Sequence, residues 1–208
     1  MAASRRGDSG HDRMSSFGGT VSFSADVNDR ARSDPAITAA TIYNVQMVAL
    51  RYAYVLALVV WLGGMLILSA FVAPATFQVL QERQGDAGRV LAGAVFGETL
   101  RRFHIVAYVS GAVLVGSLIG MAALGGRPAA LPARLAIGSV MLALAIVSGT
   151  VVSRRIEGPQ RAIGGPVSSL PVADVRRAEF GRLHGLSSGL MLINMAGGLL
   201  LLYWEAGR

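Results

Sequence analysis

Two histidines, His104 and His184, are the residues of this chain with the clearest capacity for chemistry. Each lies at the start of a long apolar stretch, and each closes an Arg-x-His pattern, at residues 102–104 and 182–184. An imidazole nitrogen binds haem iron or another metal, and neighbouring arginines can pair with haem propionates. The simpler interpretation is that both histidines lie at a membrane interface and hydrogen-bond to headgroups, water or loop carbonyls. The alternative is that the pair binds haem b or another metal.

Other catalytic chemistry finds little support in the residue types. Cysteine is absent, which excludes disulfides, thiol catalysis and Cys-ligated metal sites. The chain has no phosphate-binding glycine loop, no HExxH and no nucleophile triad. No metal-ligand set and no catalytic residue is predicted beyond the two histidines, and the sequence favours a protein that is not an enzyme.

Four stretches without Asp, Glu, Lys or Arg decide the fold class, at residues 52–81, 103–126, 135–153 and 183–204. A helix of roughly 20 apolar residues crosses the hydrocarbon core of a bilayer. The sequence therefore predicts an all-α, polytopic membrane protein, an antiparallel bundle of four transmembrane helices. The predicted spans are about 47–73, 103–124, 134–153 and 183–204, within a membrane domain of residues 47–204.

The N-terminal segment differs in composition, because residues 1–34 are rich in Ser, Gly, Asp and Arg. Residues 1–46 are therefore predicted to be a disordered polar tail. Residues 36–50 are an alternative helical approach to the membrane. A second alternative is that translation starts at Met47.

The connections predict how the spans are arranged. Pro74 is expected to end the first span, because proline lacks the N–H of the helical ladder. Residues 75–102 then form a loop with an amphipathic helix along the membrane surface at Ala87–Leu100. Residues 125–133 form a tight turn, so that the second and third spans are antiparallel neighbours. Residues 154–182 begin irregularly and become helical from Val172.

Charge predicts sidedness and partners. Arginines near the spans are more numerous in loops 75–102 and 154–182 than on the opposite side, which predicts that these loops are cytoplasmic and both termini outside. The net charge is +7, but the arginines flank the spans instead of forming one basic face, so no nucleic-acid partner is expected. The expected partners are the lipid bilayer and either a second copy or another membrane protein.

Polar residues inside the spans allow a further function. Asn194 and several serines are read most simply as groups that hydrogen-bond between helices or to the backbone. A continuous polar cavity lined by them would favour a small transporter or exporter, whereas a dry core would count against one. The spans contain no carboxylate, which argues against coupling to protons or cations.

Two sequence signatures resemble a known family. Residues 61–65 continuing to 73–77, and residues 180–188, resemble the bacterial family of unknown function that includes proteins similar to transmembrane protein 205. Phe96 and His104 match the start of that family's second span. The resemblance covers about residues 47–204 and assigns family-motif positions to Trp61, Gly64, Pro74, Phe77, Phe96, Phe180, His184 and Ser187.

This resemblance implies a four-span inner-membrane protein of bacteria but no agreed biochemistry. The hairpin pattern is distantly similar to the copper-resistance D family and to the haem-dependent protoporphyrinogen oxidase of bacteria. The first span here has no histidine, unlike the oxidase pattern. The leading interpretation is a membrane module of unknown activity, with Pro74, Phe77, Phe96, His104, Phe180 and His184 clustered at its cytoplasmic mouth.

Overall fold

The computed structural model describes residues 35–153, 155, 165 and 167–207, and these residues are mostly helical with no β-strand among them. The helices and their π-helical extensions are α1 (Pro35–Ile67), π1 (Leu68–Val72), α2 (Ala73–Ala123), α3 (Leu131–Val147), π2 (Ser148–Val152), a short 3-10 helix (Val167–Ser169) and α4 (Val175–Ala206).

By its internal contacts the chain divides into residues 1–44 and residues 45–208. In the first unit the described residues begin at Pro35 and form the first turns of α1, with every side chain exposed. The disorder expected for residues 1–34 lies outside the described residues. Residues 35–46, assigned above to the polar tail, are helical.

Three helical runs in the described residues are long and apolar enough to cross a membrane: Pro35–Ala123, Leu131–Val152 and Val175–Ala206. The first run holds two of the four uncharged stretches, and Gly85 separates them. Gly85 has φ 56° and ψ −128°, a conformation that side chains with a Cβ rarely adopt. The described chain thus contains three to four apolar helices.

The loop expected at residues 75–102 is instead a helical hairpin with Gly85 at its tip. Residues 73–84 extend α1 and π1, and residues 86–123 return along them. A Cβ atom at Gly88 would overlap the carbonyl oxygen of Leu80, and the rings of Phe77 and Phe96 lie 6.4 Å apart. The helix at Ala87–Leu100 exists as predicted, but it packs on residues 73–84. Charges beginning at Glu82 end the apolar stretch without ending the helix.

Pro74 does not end the first helix, contrary to the sequence prediction. The helix widens just before it into π1, where the N–H of Ala73 donates to the carbonyl of Leu68, five residues back. The wider turn accommodates a residue that has no N–H to donate and whose ring would clash with the preceding turn. The hydroxyl of Thr76 donates to the carbonyl of Val72 at 2.6 Å, so the neighbouring turn keeps its polar groups paired.

The connection between α2 and α3 is the tight turn that the sequence predicts. Gly125 takes φ 82° and Ala130 takes φ 55°. Pro132 then lies in the first turn of α3, where its missing N–H has no helical partner to lose. Gly138 on α3 faces Leu114 on α2.

The core of residues 45–208 is apolar and centres on Trp61, which is 1% exposed. Gly111 leaves space for this indole, because a Cβ there would lie 3.0 Å from its Cζ3 atom. The buried aliphatic side chains around it come from α1, α2, α3 and α4, and include Leu58, Leu114, Leu118, Met141 and Leu201.

Helix α4 begins at Val175, slightly later than the predicted start at Val172. Asp174 has an extended backbone and its carboxylate accepts from the N–H of Arg176 at 2.9 Å. This N-cap satisfies an amide that would have no partner inside the helix. Most of residues 154–166 lie outside the described residues.

Candidate functional site

A small cavity lies in the core of residues 45–208, beside both π-helical segments. Its volume is about 60 Å³, and it is bounded by residues of α1, π1, α2, α3, π2 and α4. Four of its lining residues are polar: His104, Ser148, Ser187 and Asn194. Wide π-helical turns are often found at functional sites, because they displace side chains from regular helical positions. Leu68 opens π1 and Ser148 opens π2, so both segments border the cavity directly.

His104 is held in place on α2 by its neighbours. It is 9% exposed, and its ring is hydrogen-bonded to the backbone carbonyl of Leu100, one turn earlier. The ring lies 6.0 Å from that of Tyr108. Gly149 in π2 faces both rings, since a Cβ there would overlap the Tyr108 hydroxyl and lie 2.7 Å from His104 Cδ2. A glycine at this position therefore allows the imidazole to sit between α2 and π2.

Asn194 brings an unsatisfied polar atom to the same cavity. The residue is 4% exposed, and its amide nitrogen donates to the carbonyl of Leu190 at 3.2 Å. Its Oδ1 atom is buried and has no hydrogen-bond partner among the described residues. Buried acceptors are nearly always paired, so an unpartnered Oδ1 atom in this core is unusual.

The second predicted histidine lies elsewhere. His184 is exposed and stacks on Phe180, with ring centroids 6.0 Å apart and ring planes 6° from parallel. It does not line the cavity that contains His104. Ligand pockets usually measure roughly 300 Å³ or more, so a cavity of about 60 Å³ does not fit a haem held by both histidines. Among the described residues, no three His, Cys, Asp or Glu side chains are grouped as metal ligands.

The family-motif residues divide among several local contacts. Trp61 and Ser187 line the cavity, and Gly64 lies against the ring of Phe103. Pro74 follows π1. In the described part of the chain, ring contacts join Phe77 to Phe96, Phe180 to His184 and His104 to Tyr108. These ring contacts form three separate pairs, and the clustering of Pro74, Phe77, Phe96, His104, Phe180 and His184 at one mouth of the bundle stays a prediction.

A buried ion-pair network was missed by the sequence analysis. Arg134 on α3 is 1% exposed, and its guanidinium donates to Glu205 Oε2 at 2.7 Å and to the carbonyl of Trp204 at 2.7 Å. Its Cζ atom lies 5.8 Å from the centre of the Tyr54 ring. Arg51 Nε donates to the other carboxylate oxygen of Glu205 at 2.7 Å.

The signal for this network was present in the sequence. Glu205 directly follows the last apolar stretch, and Arg51 and Arg134 each directly precede one. In helices that alternate in direction, these three positions share one end. Arg51 and Arg134 were counted only as charges that flank the spans. Their shared partner, the carboxylate of Glu205, was therefore not recognised.

Comparison with known proteins gives one match. The family described as a domain of unknown function (DUF4149) matches residues 56–163. No curated protein and no solved structure matches the chain. The matched range includes His104 and Ser148, and it ends before Ser187 and Asn194.

Proposed function

The chain belongs to the DUF4149 family of unknown function, and from that premise we propose that it is an integral protein of a bacterial inner membrane, a four-helix antiparallel bundle of the transmembrane protein 205-like type. The spans cover about residues 47–73, 103–124, 134–153 and 183–204. The protein is a membrane module of unknown molecular activity, and its immediate partner is the bilayer.

One observation carries this proposal: large apolar side chains remain exposed along every proposed span. Examples from the four spans are Tyr52, Val109, Val140, Leu192 and Ile193, each more than half exposed. Leaving apolar surface in water costs about 25 cal/mol per Å² relative to burying it. A contiguous apolar exterior is unfavourable for a soluble monomer but is the natural surface of a protein in lipid.

The helical hairpin gives the proposed protein a second part outside the lipid. The segment from Pro74 to Gly85 would project about 18 Å from the membrane, at 1.5 Å per residue. Its charges fit this position, because Glu98 pairs with Arg101 and Arg102 at 2.7 Å each. The hairpin occupies the loop 75–102 for which arginine counts favour the cytoplasm.

Membrane extraction tests the proposal. Membranes from cells that express the protein are washed with alkaline carbonate and then solubilised with a mild detergent. We expect the protein to stay in the carbonate pellet and to enter solution only with detergent. Recovery in the carbonate supernatant, beside a soluble marker protein, would sink the proposal.

A small transporter is the second candidate, and the polar cavity favours it. The cavity supplies His104, Ser148, Ser187 and Asn194 at one level of the core. Between it and the network of Arg134 and Glu205 lie the fully buried side chains of Leu58, Leu114, Leu118 and Leu201. A transporter would have to open this apolar layer, which makes transport the weaker candidate.

A haem-dependent redox protein is a poor fit to the site, as the separation of His184 from the cavity indicates. The visible spectrum of the purified protein tests this directly. We expect no Soret band after expression with added haem precursor. A Soret band lost in both His104→Ala and His184→Ala variants would restore the haem hypothesis.

A further inference from the structure

We propose that the helical hairpin binds the hairpin of a second copy of this chain, through one face of its returning arm, residues 86–100, and the turn that follows. This docking face consists of Leu91 and of a shallow surface groove that is lined by Ala94, Val95, Glu98, Thr99 and Arg102. The proposal rests on the membrane insertion proposed above, because the bilayer determines which parts of the hairpin stay outside the lipid.

Apolar side chains of the docking face are exposed where lipid does not reach them. Leu91 is 43% exposed and Val95 is 45% exposed. Leu91 lies six residues from the tip at Gly85, so at 1.5 Å per residue it stands about 9 Å below the tip and about 9 Å outside the hydrocarbon core. The headgroup region extends only about 5–8 Å beyond that core. Neither lipid tails nor headgroups therefore cover Leu91 in the proposed membrane.

The hairpin buries little apolar surface between its own two arms. The buried positions of the returning arm are Gly88 and Ala92, and the rings of Phe77 and Phe96 are only half-buried. An apolar stripe on a helix has to be buried against another element. The larger side chains of the docking face therefore need a partner beyond the hairpin itself.

The charges of the hairpin favour an identical partner over a strongly charged one. The four charges nearest the tip are two negative and two positive, and sum to zero: Glu82, Arg83, Asp86 and Arg89. At the groove, Glu98 is already paired with Arg101 and Arg102 of its own chain at 2.7 Å each. Two such surfaces do not repel each other, whereas a strongly acidic or basic partner would gain little attraction.

The membrane brings two copies together in the orientation that this contact requires. Copies of one chain insert with the same sidedness, so their hairpins project from the same side to the same height. A two-fold axis along the membrane normal then places the same face of each copy against the other, which is the self-complementary contact typical of homodimers. Leu91 lies opposite the partner's Leu91, and Ala94, one turn away, is small enough to let the arms approach closely.

Cysteine cross-linking in native membranes tests the proposal, because the chain has no native cysteine. Two Leu91→Cys chains with different affinity tags are co-expressed, and the membranes are treated with a short thiol-to-thiol cross-linker. We expect a covalent dimer that contains both tags.

Val90→Cys is the matched control. Val90 is 36% exposed and stands at nearly the same height as Leu91, but consecutive helical residues point about 100° apart, and Val90 does not line the groove. This variant should give little or no dimer. Equal dimer from Val90→Cys and Leu91→Cys would indicate random collision in the membrane and would overturn the proposal.

A charge introduced into the groove provides a second readout. In a two-fold contact, Val95→Glu places two carboxylates close to each other, and like charges brought together at an interface strongly disfavour association. Combined with Leu91→Cys, it should lower the yield of cross-linked dimer at least about tenfold. Val90→Glu in the same background should leave the yield unchanged. Equal losses in the two variants would contradict the docking face.

Other products of the cross-linking identify other occupants, and each refutes the second copy. A product of Leu91→Cys with a different protein would mean a hetero-oligomeric partner, and monomer alone would mean that lipid or another segment of the same chain covers the face. The membranes are washed with alkaline carbonate before each measurement. Missing dimer in protein that stays in the pellet refutes the docking face alone, whereas protein in the supernatant refutes membrane insertion.

Discussion

Arg134 reaches two other helices from its position at the start of α3. Its two terminal nitrogens contact Glu205 and the carbonyl of Trp204 on α4, and its guanidinium lies over Tyr54 on α1. A buried cation of this kind is tolerated because a carboxylate and a carbonyl replace the water it has lost. The network therefore ties the end of α4 to α1 and α3.

Removing the carboxylate should destabilise the protein strongly. Glu205→Gln leaves Arg134 buried without its counter-ion, and breaking a buried pair typically costs about 3–5 kcal/mol. Arg51→Ala should cost less than about 1 kcal/mol, because its side chain is 53% exposed. Equilibrium unfolding in mixed micelles measures both free energies. Similar losses in the two variants would contradict the assignment of Arg134 as the buried partner.

Gly149 makes a prediction about the cavity wall. In Gly149→Ala the new methyl group would overlap the Tyr108 hydroxyl and press on the ring of His104. Overpacking of this kind costs typically 1–3 kcal/mol of unfolding free energy. Tyr108→Phe in the same chain should recover part of the loss, because it removes the overlapping oxygen.

Gly116→Ala is the control for this substitution. Gly116 is also helical, but a Cβ there would meet nothing within 4 Å. Alanine should leave stability unchanged or raise it by up to about 1 kcal/mol, as its helix propensity exceeds that of glycine. A cost at Gly149 no larger than at Gly116 would mean that π2 adjusts freely around the added methyl.

At the scale of elements, the hairpin depends on close approach of its two arms at Gly88. Gly88→Ala should separate the arms, because its methyl group would overlap the backbone carbonyl of Leu80 and backbone cannot rotate away as a side chain can. Spin labels at Val79→Cys and Val90→Cys, both on exposed positions, should report a longer distance in the variant. Gly97→Ala, where a Cβ would meet nothing within 4 Å, should leave that distance unchanged.

The start of α4 should respond to acid. The hydrogen bond from the Arg176 side chain, followed by that from its backbone N–H, lowers the pKa of Asp174 below its usual value of 3.8. A carboxylate with a lowered pKa stabilises the folded state fully above the unfolded pKa, and this stabilisation is lost as pH falls through the folded pKa. Hydrogen exchange in the first turn of α4 should therefore accelerate below about pH 4.

Asp174→Asn separates charge from capping in that experiment. Asparagine also caps helices but does not titrate, so exchange in the first turn should lose its acid-dependent opening. If the variant and wild type open with the same pH dependence, another group controls this helix end.

The sequence predicts the helices more reliably than their ends. The four uncharged stretches are helical apart from residues 124–126, and Gly125 and Pro132 mark the α2–α3 connection correctly, because these signals act locally. Two local signals predicted the end of the first helix wrongly. Pro74 does not end it, because π1 accommodates the proline. The charges that begin at Glu82 do not end it either, because residues 73–84 pack on residues 86–100. Local composition does not reveal a partner helix that lies across a turn.

The residues of the candidate site also differ in how well the sequence predicts them. His104 could be identified from the sequence because a titratable residue at the start of an apolar stretch stands out there. Met65 and Met191, which also line the cavity, could not, since methionine in an apolar stretch looks like ordinary core packing. Only the fold shows that they share a cavity with His104.

At the scale of the whole molecule, the unit of residues 45–208 has different chemistry at its two ends. The hairpin tip at Gly85 carries exposed charges, whereas the other end holds the buried network of Arg134 with the α2–α3 connection beside it. Between them lies the apolar surface that the proposed bilayer would cover. The arginine counts therefore predict which of these two ends faces the cytoplasm, namely the end with the hairpin tip.

Cysteine labelling can decide between the two orientations, because the chain has no native cysteine and wild type gives no background. In intact cells an impermeant maleimide should label Ala129→Cys, an exposed position in the α2–α3 connection. Gln84→Cys, exposed beside the hairpin tip, should be labelled only after the membrane is permeabilised. Labelling of Gln84→Cys but not Ala129→Cys in intact cells would reverse the sidedness. In that case the hairpin would face outward. The loop arginines would then serve contacts such as those of Arg101 and Arg102 with Glu98, and their number would not predict which loops are cytoplasmic.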